Sequence, residues 1–468
     1  MIKVNQTYLA DVIDLTTGGD GIAKIDSYPV FVAGSVPGDQ ISFTLTKANK
    51  TYGFGKLNKI ITPSPNRRVP ECSSFSSCGG CSLMHLDYGA QLKYKSDFVH
   101  SNLVRIGGYG DGEFEYEPII GADSEFFYRN KAQFPVGMQK GRAVCGFYAP
   151  KSHSITPCER CYIQNENINK AVSLVMDYIR HENLSIYNEK SHKGIVRHIY
   201  VRFGEENGDL MVCIVTNSAQ KLPWVEKLVQ KLLPLGLKSL VQNVNTKKTN
   251  VILDDKNIVL FGSDSINIRL DDLTFKVNPH SFFQVNTTQM KKLYSKALEY
   301  ACVSKNDTVF DLYCGVGSIS LYLAKKAKKV IGVEIVPQAI ENAKENAALS
   351  GIENAEFYCG DCTEVVERLL SQGERANVAV VDPPRKGCDE KLLELLKTMN
   401  PEKIVYVSCN SATLARDVAI MRSFGYKMTK ACAVDMFPQT SHVEAVALLQ
   451  RDKLNFTERI KLWTEKQQ

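Results

Sequence analysis

The chain has 468 residues, of which 44% are hydrophobic and 23% charged, a balance that excludes a disordered chain, a collagen-like repeat and a small disulfide scaffold. Its length suggests about three domains, and its net charge of +6, from 57 basic and 51 acidic residues, permits a polyanionic partner without requiring one. No apolar run approaches the roughly 18 residues of a membrane span; the opening MIKVNQTYLADVIDL carries acids and lacks an apolar signal core, which reads as a mature cytoplasmic protein with no membrane attachment.

Residues 1–62 read as short strands punctuated by glycine: 11–15, 22–25, 29–33 and 40–45, with Thr-Thr-Gly-Gly-Asp-Gly at 16–21. Turn signals every eight to ten residues predict a small β-barrel. Between Lys47 and Lys59 four lysines stand with Tyr52 and Phe54 and no acid. Such a stretch suits a phosphate backbone with stacked bases, or equally a solvated loop. Residues 63–70, Pro-Ser-Pro-Asn-Arg-Arg-Val-Pro, form a linker. A second region, 63–270, is mixed α/β with no nucleotide fingerprint; strands are expected at 141–148, 198–203 and 210–216, the pattern being antiparallel, and a helix at 167–180.

From 271 to 455 strands and helices alternate. Strands are expected at 308–312, 329–333, 378–381, 403–407 and 443–449, and helices at 318–327 and 337–350, the latter ended by Gly351. This alternation predicts a parallel, doubly wound Rossmann-like sheet. Residues 456–468 are left as a tail.

The first strand of the alternation ends in Asp311-Leu-Tyr-Cys-Gly-Val-Gly317, and the next ends at Glu334, seventeen residues past Gly317. A glycine turn lets a ligand approach bare backbone, and a carboxylate there can hold a ribose diol. The third glycine of a dinucleotide site is missing, and an acid ahead of the turn would repel a pyrophosphate. A cationic adenosyl ligand fits better, which points to S-adenosylmethionine. Val378-Ala-Val-Val-Asp382-Pro-Pro-Arg-Lys-Gly387 then sets an acid and two φ-locked prolines at the carboxyl rim of a strand. Arg385 and Lys386 beside it offer charge to a phosphate.

Cys409 lies just past the strand expected at 403–407, on the same rim, and Glu444 enters an otherwise apolar strand, which is costly without a task. A thiolate and a carboxylate beside a methyl donor define a reaction: methylation of a pyrimidine at carbon 5. Thiolate addition at carbon 6 makes carbon 5 nucleophilic, and a base must later remove the carbon-5 proton. Cys409 is the expected nucleophile and Glu444 the expected base, with the target base leaving its stack to reach them.

The fourteen cysteines, in a long chain without an export signal, suggest metal or catalytic chemistry rather than crosslinks. Cys72-x5-Cys78-Gly-Gly-Cys81 and Cys158-Glu-Arg-Cys161 allow two readings. Cys78, Cys81, Cys158 and Cys161 have the spacing of a tetrahedral zinc site, which leaves Cys72 unused. An iron–sulfur cube takes four thiolates, three of them clustered.

Phe282-Phe-Gln284-Val-Asn, Asp311-Leu-Tyr-Cys-Gly, Gly332-Val-Glu334, Asp382-Pro-Pro-Arg, Ser408-Cys409-Asn and His442-Val-Glu444 together resemble the RNA uracil-5 (5-methyluridine) methyltransferases over the whole carboxyl half. The amino-terminal barrel resembles the RNA-binding TRAM module of that family's 23S ribosomal RNA branch, a module that its transfer RNA enzymes usually lack. The resemblance implies that Gln284, Tyr313, Glu334 and Asp382 contact S-adenosylmethionine, that Asp361 meets its adenine, and that Phe282 lies near the flipped base. Ser318 stands where some members have asparagine, and that contact is not carried over. The resemblance also implies a [4Fe-4S] cluster on Cys72, Cys78, Cys81 and Cys161, with Cys158 spare, basic residues of Tyr128-Arg-Asn-Lys131 facing RNA, and a helix near 92–107 packed on the catalytic domain. The expected protein is thus a monomeric 23S ribosomal RNA (uracil-C5)-methyltransferase. The alternatives are a transfer RNA enzyme of the same chemistry, a base amino-nitrogen methyltransferase, or a non-catalytic RNA-binding iron–sulfur protein. Against the amino-nitrogen reading stands Arg385, in place of the aromatic that normally follows Asp-Pro-Pro in that chemistry.

Overall fold

The computed structural model describes residues 2–110 and 112–452; the expected tail at 456–468 lies outside the described residues. The chain forms two compact units. The first holds Met1–Lys95, Gly121–Met290 and Asp435–His442, and the second holds Ser96–Ile120, Lys291–Val434 and the chain from Val443.

The first unit begins with β1 (Thr7–Leu15), β2 (Gly21–Ile25), β3 (Tyr28–Val32), β4 (Gln40–Ala48) and β5 (Gly53–Thr62), which close into a barrel in the order β1-β2-β3-β5-β4. Alternation drives the closure: Ile41, Phe43 and Leu45 of β4 point inward onto Val12, Ala23, Val30 and Val32. Much of the lysine-rich stretch expected as a loop or RNA patch is strand, since β5 carries Lys56 and Lys59. Tyr52 stacks on Phe31 with ring centroids 5.3 Å apart.

Helix α1 (Tyr88–Arg105) passes from the first unit into the second, where Val99 and Leu103 join the hydrophobic core; β6 (Glu115–Ile120) follows it there. The chain then returns to the first unit with β7 (Lys131–Gln139), β8 (Arg142–Tyr148), β9 (Ile155–Pro157), α2 (Glu166–His181), β10 (Val196–Phe203), β11 (Leu210–Thr216), α3 (Val225–Leu232), β12 (Leu237–Val244) and β13 (Asn257–Gly262). These strands make one sheet in the order β13-β12-β11-β10-β7-β8-β9. The Asn165 side chain caps α2 by accepting from the Asn167 amide at 2.9 Å. Ile168, Val172, Val175 and Ile179, at helical spacing, bury that helix in the core of the sheet. A hairpin, β14 (Ile266–Leu270) and β15 (Leu273–Val277), completes the unit.

After α4 (Thr287–Ala301) the second unit runs β16 (Thr308–Leu312), α5 (Ser318–Ala324), β17 (Lys329–Glu334), α6 (Pro337–Leu349), β18 (Ala355–Cys359), α7 (Cys362–Ser371), β19 (Val378–Val381), α8 (Glu390–Met399), β20 (Lys403–Ser408), α9 (Ser411–Ser423), β21 (Tyr426–Val434) and β22 (Glu444–Arg451). The sheet order is β18-β17-β16-β19-β20-β22-β21-β6. Strands β16 to β20 are parallel, with the order reversing between β16 and β19, so their carboxyl ends form the rim where such folds bind ligands.

The expectation of a wholly parallel sheet is corrected at one place: β22 runs antiparallel to both β20 and β21. The reason is chain length. β21 had gone unrecognised in the sequence, and the link from it to β22 covers only residues 435–443. That is shorter than the dozen or so residues a parallel crossover needs. Helix α5 also stops at Ala324 rather than 327.

Candidate active site

The loop after β16 holds Tyr313, Gly315 and Gly317 at positive φ, of 66°, 56° and 79°. A β-carbon built on Gly315 would meet no atom within 4 Å, so bare backbone faces open space that a ligand can enter. Glu334, ending β17, ties this loop to its own strand. One carboxylate oxygen accepts from the Gly315 amide at 3.2 Å and the other from the Val336 amide at 2.9 Å. The carboxylate is half-buried, with lone pairs to spare for a diol.

Asp311 is fully buried. The Ser320 hydroxyl donates to its Oδ2, while Oδ1 has no hydrogen-bond partner among the described residues. A buried, orphaned carboxylate oxygen beside an open glycine turn suits a cationic ligand. Tyr313 is half-buried above the turn. Burial, and then nearby thiols and the carboxylates of Asp389 and Asp361, push its phenol up. Asp361 caps α7, accepting from the Thr363 amide at 2.9 Å. Ser318 bonds to the Tyr294 hydroxyl at 2.8 Å. Gln284 belongs to the first unit, half-buried, where its backbone carbonyl accepts from Asn130 Nδ2 at 2.9 Å. Two residues before it, Phe282 is 68% exposed. The orphaned oxygen, the open turn and the anchored Glu334 fit an S-adenosylmethionine-like cation.

Cys409 and Glu444 meet across strands. The β20–β22 register ends with Ser408 paired to Ala445, so Cys409 and Glu444 are the next residues beyond that pair, and the Glu444 charge bears on the Cys409 thiol. Cys409 is half-buried, and Glu444 is 4% exposed. Burial and then the Asp382 carboxylate push the Glu444 carboxyl up to about 8, partly offset by Arg385. Asp382 is itself pushed up to about 7, by burial and by Asp311; Asp311 rises to about 7, mainly through burial. The Cys409 thiol is raised by burial and by Glu444 and Asp382, against an opposing pull from Arg385.

The sequence had marked Arg385 only as a charge for a phosphate, and had missed what holds it. Its backbone carbonyl accepts from Asn410 Nδ2 at 3.0 Å and from the Thr413 hydroxyl at 3.3 Å. Asp417, fully buried, accepts from the Cys388 amide at 2.8 Å and the Tyr406 hydroxyl at 2.6 Å. The helix that starts after the candidate nucleophile therefore clamps the Asp-Pro-Pro-Arg rim. Only the Asn410 cap, three residues before Thr413, carried a readable signal for this.

In the first unit Cys72, Cys81 and Cys161 pack around Met84, Tyr128 and Ile163. The thiols of Cys72, Cys78 and Cys81 are each raised by burial and by their neighbour Cys161. Cys158 stands against Cys161, and their contact lifts the first thiol and lowers the second. All five cysteines share one neighbourhood. Even so, among the described residues no three His, Cys, Asp or Glu side chains converge closely enough to hold a metal ion. The donor chemistry fits a thiolate-bound centre, while the side chains as placed do not form its ligand shell. Cys362, in the further Cys-x2-Cys sequence Cys359-Gly-Asp-Cys362, is buried in the hydrophobic core of the second unit.

Comparison with known proteins gives two family matches: residues 87–452 match the model described as tRNA (Uracil-5-)-methyltransferase, and residues 2–57 match the TRAM domain. A protein of Clostridium tetani named "Uncharacterized RNA methyltransferase" is 46% identical over 450 residues, covering 96% of this chain and 97% of its own. A protein of Listeria innocua with the same description is 44% identical, covering 96% and 98%. Among solved structures, the Pyrococcus abyssi tRNA (uracil-54, C5)-methyltransferase in complex with S-adenosyl-L-homocysteine is similar with a TM-score of 0.76 and 29% identity, covering 94% of this chain and 99% of its own.

Proposed function

The chain belongs to the tRNA (uracil-5-)-methyltransferase family, and from that premise we propose that it methylates carbon 5 of a uridine in RNA through a covalent adduct on Cys409. The observation that carries this reading is that Cys409 and Glu444 flank the last β20–β22 pair, Ser408 with Ala445, and interact electrostatically, in the same sheet as the Glu334-anchored turn. In the proposed cycle the Cys409 thiolate adds to carbon 6 of a flipped uridine, and the ring electrons pass to the carbon 4 carbonyl as an enolate. Carbon 5 then takes the methyl group from the sulfonium of S-adenosylmethionine. Glu444 removes the carbon-5 proton, the carbon 5–carbon 6 double bond reforms, and the carbon–sulfur bond breaks to release the thiolate. Gln284, Tyr313, Glu334, Asp361 and Asp382 are assigned to the methyl donor. The buried carboxyl of Glu444, raised as it is, suits a base that returns its proton near neutral pH.

Residues 1–62 are assigned to RNA binding, 63–270 to a cysteine-bound centre and 271–455 to catalysis, in a cytoplasmic monomer. Among the described residues no helix is long and apolar enough to cross a membrane. The proposed target is 23S ribosomal RNA, on the strength of the TRAM match. A specific observation favours transfer RNA as a second reading: the similar Pyrococcus abyssi enzyme, which acts on tRNA by its description, aligns with 94% of this chain. The barrel by itself therefore does not choose between the two. For the cysteines, the proposed occupant is a [4Fe-4S] cluster on Cys72, Cys78, Cys81 and Cys161, which would supply structural bracing, since this methylation transfers no electrons.

The test uses the purified full-length protein with 5-fluorouridine-containing 23S ribosomal RNA and tRNA transcripts. A covalent protein–RNA complex that needs S-adenosylmethionine and disappears in Cys409→Ala is the expected result. Methyl transfer without any adduct would overturn the thiolate route, and adduct on tRNA alone would reassign the target. Iron and acid-labile sulfide in anaerobically purified protein, lost in Cys161→Ser and kept in Cys158→Ser, support the cluster; zinc without sulfide refutes it.

A further inference from the structure

The segment 435–442, Asp-Met-Phe-Pro-Gln-Thr-Ser-His, is a strap that belongs to the first unit and ends two residues before Glu444. It is held at nearly every residue. Lys95 and Asp435 form a fully buried ion pair at 2.6 Å, and Lys95 also reaches the Phe437 carbonyl at 3.0 Å. The side-chain amides of Gln289 and Asn286 donate to the carbonyls of Asp435 and Met436, and the Tyr128 hydroxyl donates to that of Pro438.

Gln439 is the centre of the arrangement. It is fully buried and sits at φ 69°, a conformation that is strained for a non-glycine residue and persists where the surroundings over-determine it. Both ends of its side chain and both backbone polar groups are engaged. Its Oε1 accepts from Arg68 at 2.8 Å and from Gln91 at 3.1 Å, and its Nε2 donates to Glu125 at 2.6 Å. Its amide donates to Gln91 Oε1 at 3.0 Å. Its carbonyl accepts two amides, those of Ser82 and Leu83, at 3.0 and 2.9 Å. The Ser82 hydroxyl in turn accepts from the Ser441 amide at 3.0 Å. Ser82 is the residue after Cys81, so the cysteine-rich loop and the strap form one hydrogen-bonded piece.

We propose that Gln439 is a positioning residue for the methylation: it locks the strap onto the loop following Cys81 and so fixes where the chain delivers Glu444. This rests on the reading of Glu444 as the base. It gives the cysteine-rich loop a task in catalysis that needs no electron transfer, because order in that loop becomes order in the strap. The step that depends on it is the last one, proton removal from carbon 5 with cleavage of the carbon–sulfur bond. Addition of Cys409 and methyl transfer come before it and do not use Glu444.

The experiment compares wild-type, Gln439→Gly, Ser82→Ala and Glu444→Gln full-length proteins acting on RNA from cells lacking the gene, with S-adenosylmethionine. Gln439→Gly keeps the positive φ at no steric cost while deleting the side chain, which separates positioning from folding. Rates of adduct formation, steady-state adduct, kcat and KM for RNA are measured. For Gln439→Gly the expected result is adduct formation within about twofold of wild type, accumulation of methylated adduct, and kcat lower by about ten- to a hundredfold at unchanged KM. Ser82→Ala should move the same quantities in the same direction by a smaller factor. Unchanged kcat in Gln439→Gly overturns the proposal. So does a fall in adduct formation that matches the fall in kcat, which marks mere loss of folded sites. If Glu444→Gln itself accumulates no adduct, the assignment of the base is what fails.

Discussion

Replacing Glu444 with Gln removes a carboxyl from a rim where Asp382 and Asp311 also bear on one another, and the consequence for stability can be worked out with its sign. Burial and Asp382 move the Glu444 carboxyl from 4.5 to about 8. At about 1.36 kcal/mol for each tenfold change in proton affinity, the charged form is disfavoured by up to about 5 kcal/mol in the folded state. A raised carboxyl means that, between pH 4.5 and 8, the folded protein holds a proton that the unfolded chain has already released. Stability therefore falls as pH rises through that window, and the cost is absent below it. Asp382 is half-buried, so water screens part of the repulsion, and the realised gain from Glu444→Gln is set at about 2–4 kcal/mol above pH 8. With about 2–4 °C per kcal/mol for a unit of this size, thermal unfolding followed at pH 5 and pH 8.5 should show near-equal midpoints at the lower pH. At the higher pH the variant should melt about 5–10 °C above wild type. The same variant should stall with methylated RNA attached. A variant that is less stable than wild type at pH 8.5 would refute the reasoning, because it would mean that Glu444 is ionised and favourably paired in the folded protein.

Glu334→Gln keeps the shape but removes the charge anchored by the Gly315 and Val336 amides. Charged hydrogen bonds are worth about 1.5–3 kcal/mol, so calorimetry should show S-adenosylmethionine bound about ten- to a hundredfold more weakly, with unfolding little changed. Lys95→Met strands the buried Asp435 carboxylate and should cost about 3–5 kcal/mol, read as a fall in denaturant midpoint that Lys95→Met with Asp435→Leu partly restores. Gly332→Ala would place a β-carbon 2.6 Å from Phe357 Cδ1. It should destabilise the protein by about 1–3 kcal/mol, and an unchanged melting temperature would show that the Phe357 ring yields freely.

What was legible in the sequence was what neighbouring residues decide among themselves. Alternation in 40–45 announced the inward side of a barrel strand, and Asp311-to-Gly317 followed by Glu334 announced a strand–turn–helix site and its carboxylate. Pro337 and Gly351 marked the ends of α6 to within about a turn. The lysines of 47–59 did not reveal strand or loop, because a strand on the surface of a small barrel is as basic as a loop, and only its pairing with β3 and β4 shows which it is. Asn165, Asp361 and Asn410 were readable as polar residues before helices, but α7 and α9 went unforeseen because their apolar faces are completed by residues from other parts of the chain.

By itself, the sequence determined the chemistry available: a thiol after one buried strand, a carboxyl opening another, a glycine turn for an adenosyl cation, and cysteines in metal-like spacing. The tertiary structure decided which of these meet. Cys409 and Glu444 are thirty-five positions apart and become neighbours only because a short link forces β22 to run antiparallel beside β20. Asp311 joins Asp382 and Glu444 electrostatically only when β16, β19 and β22 lie in one sheet. Gln439, an unremarkable polar residue in the sequence, becomes the hub of a strap only when Arg68, Ser82, Gln91 and Glu125 close on it. Local propensity acts over a turn or a strand, whereas pairing register and burial depend on chain segments hundreds of residues apart, and those set the charges, the contacts and the order of the site.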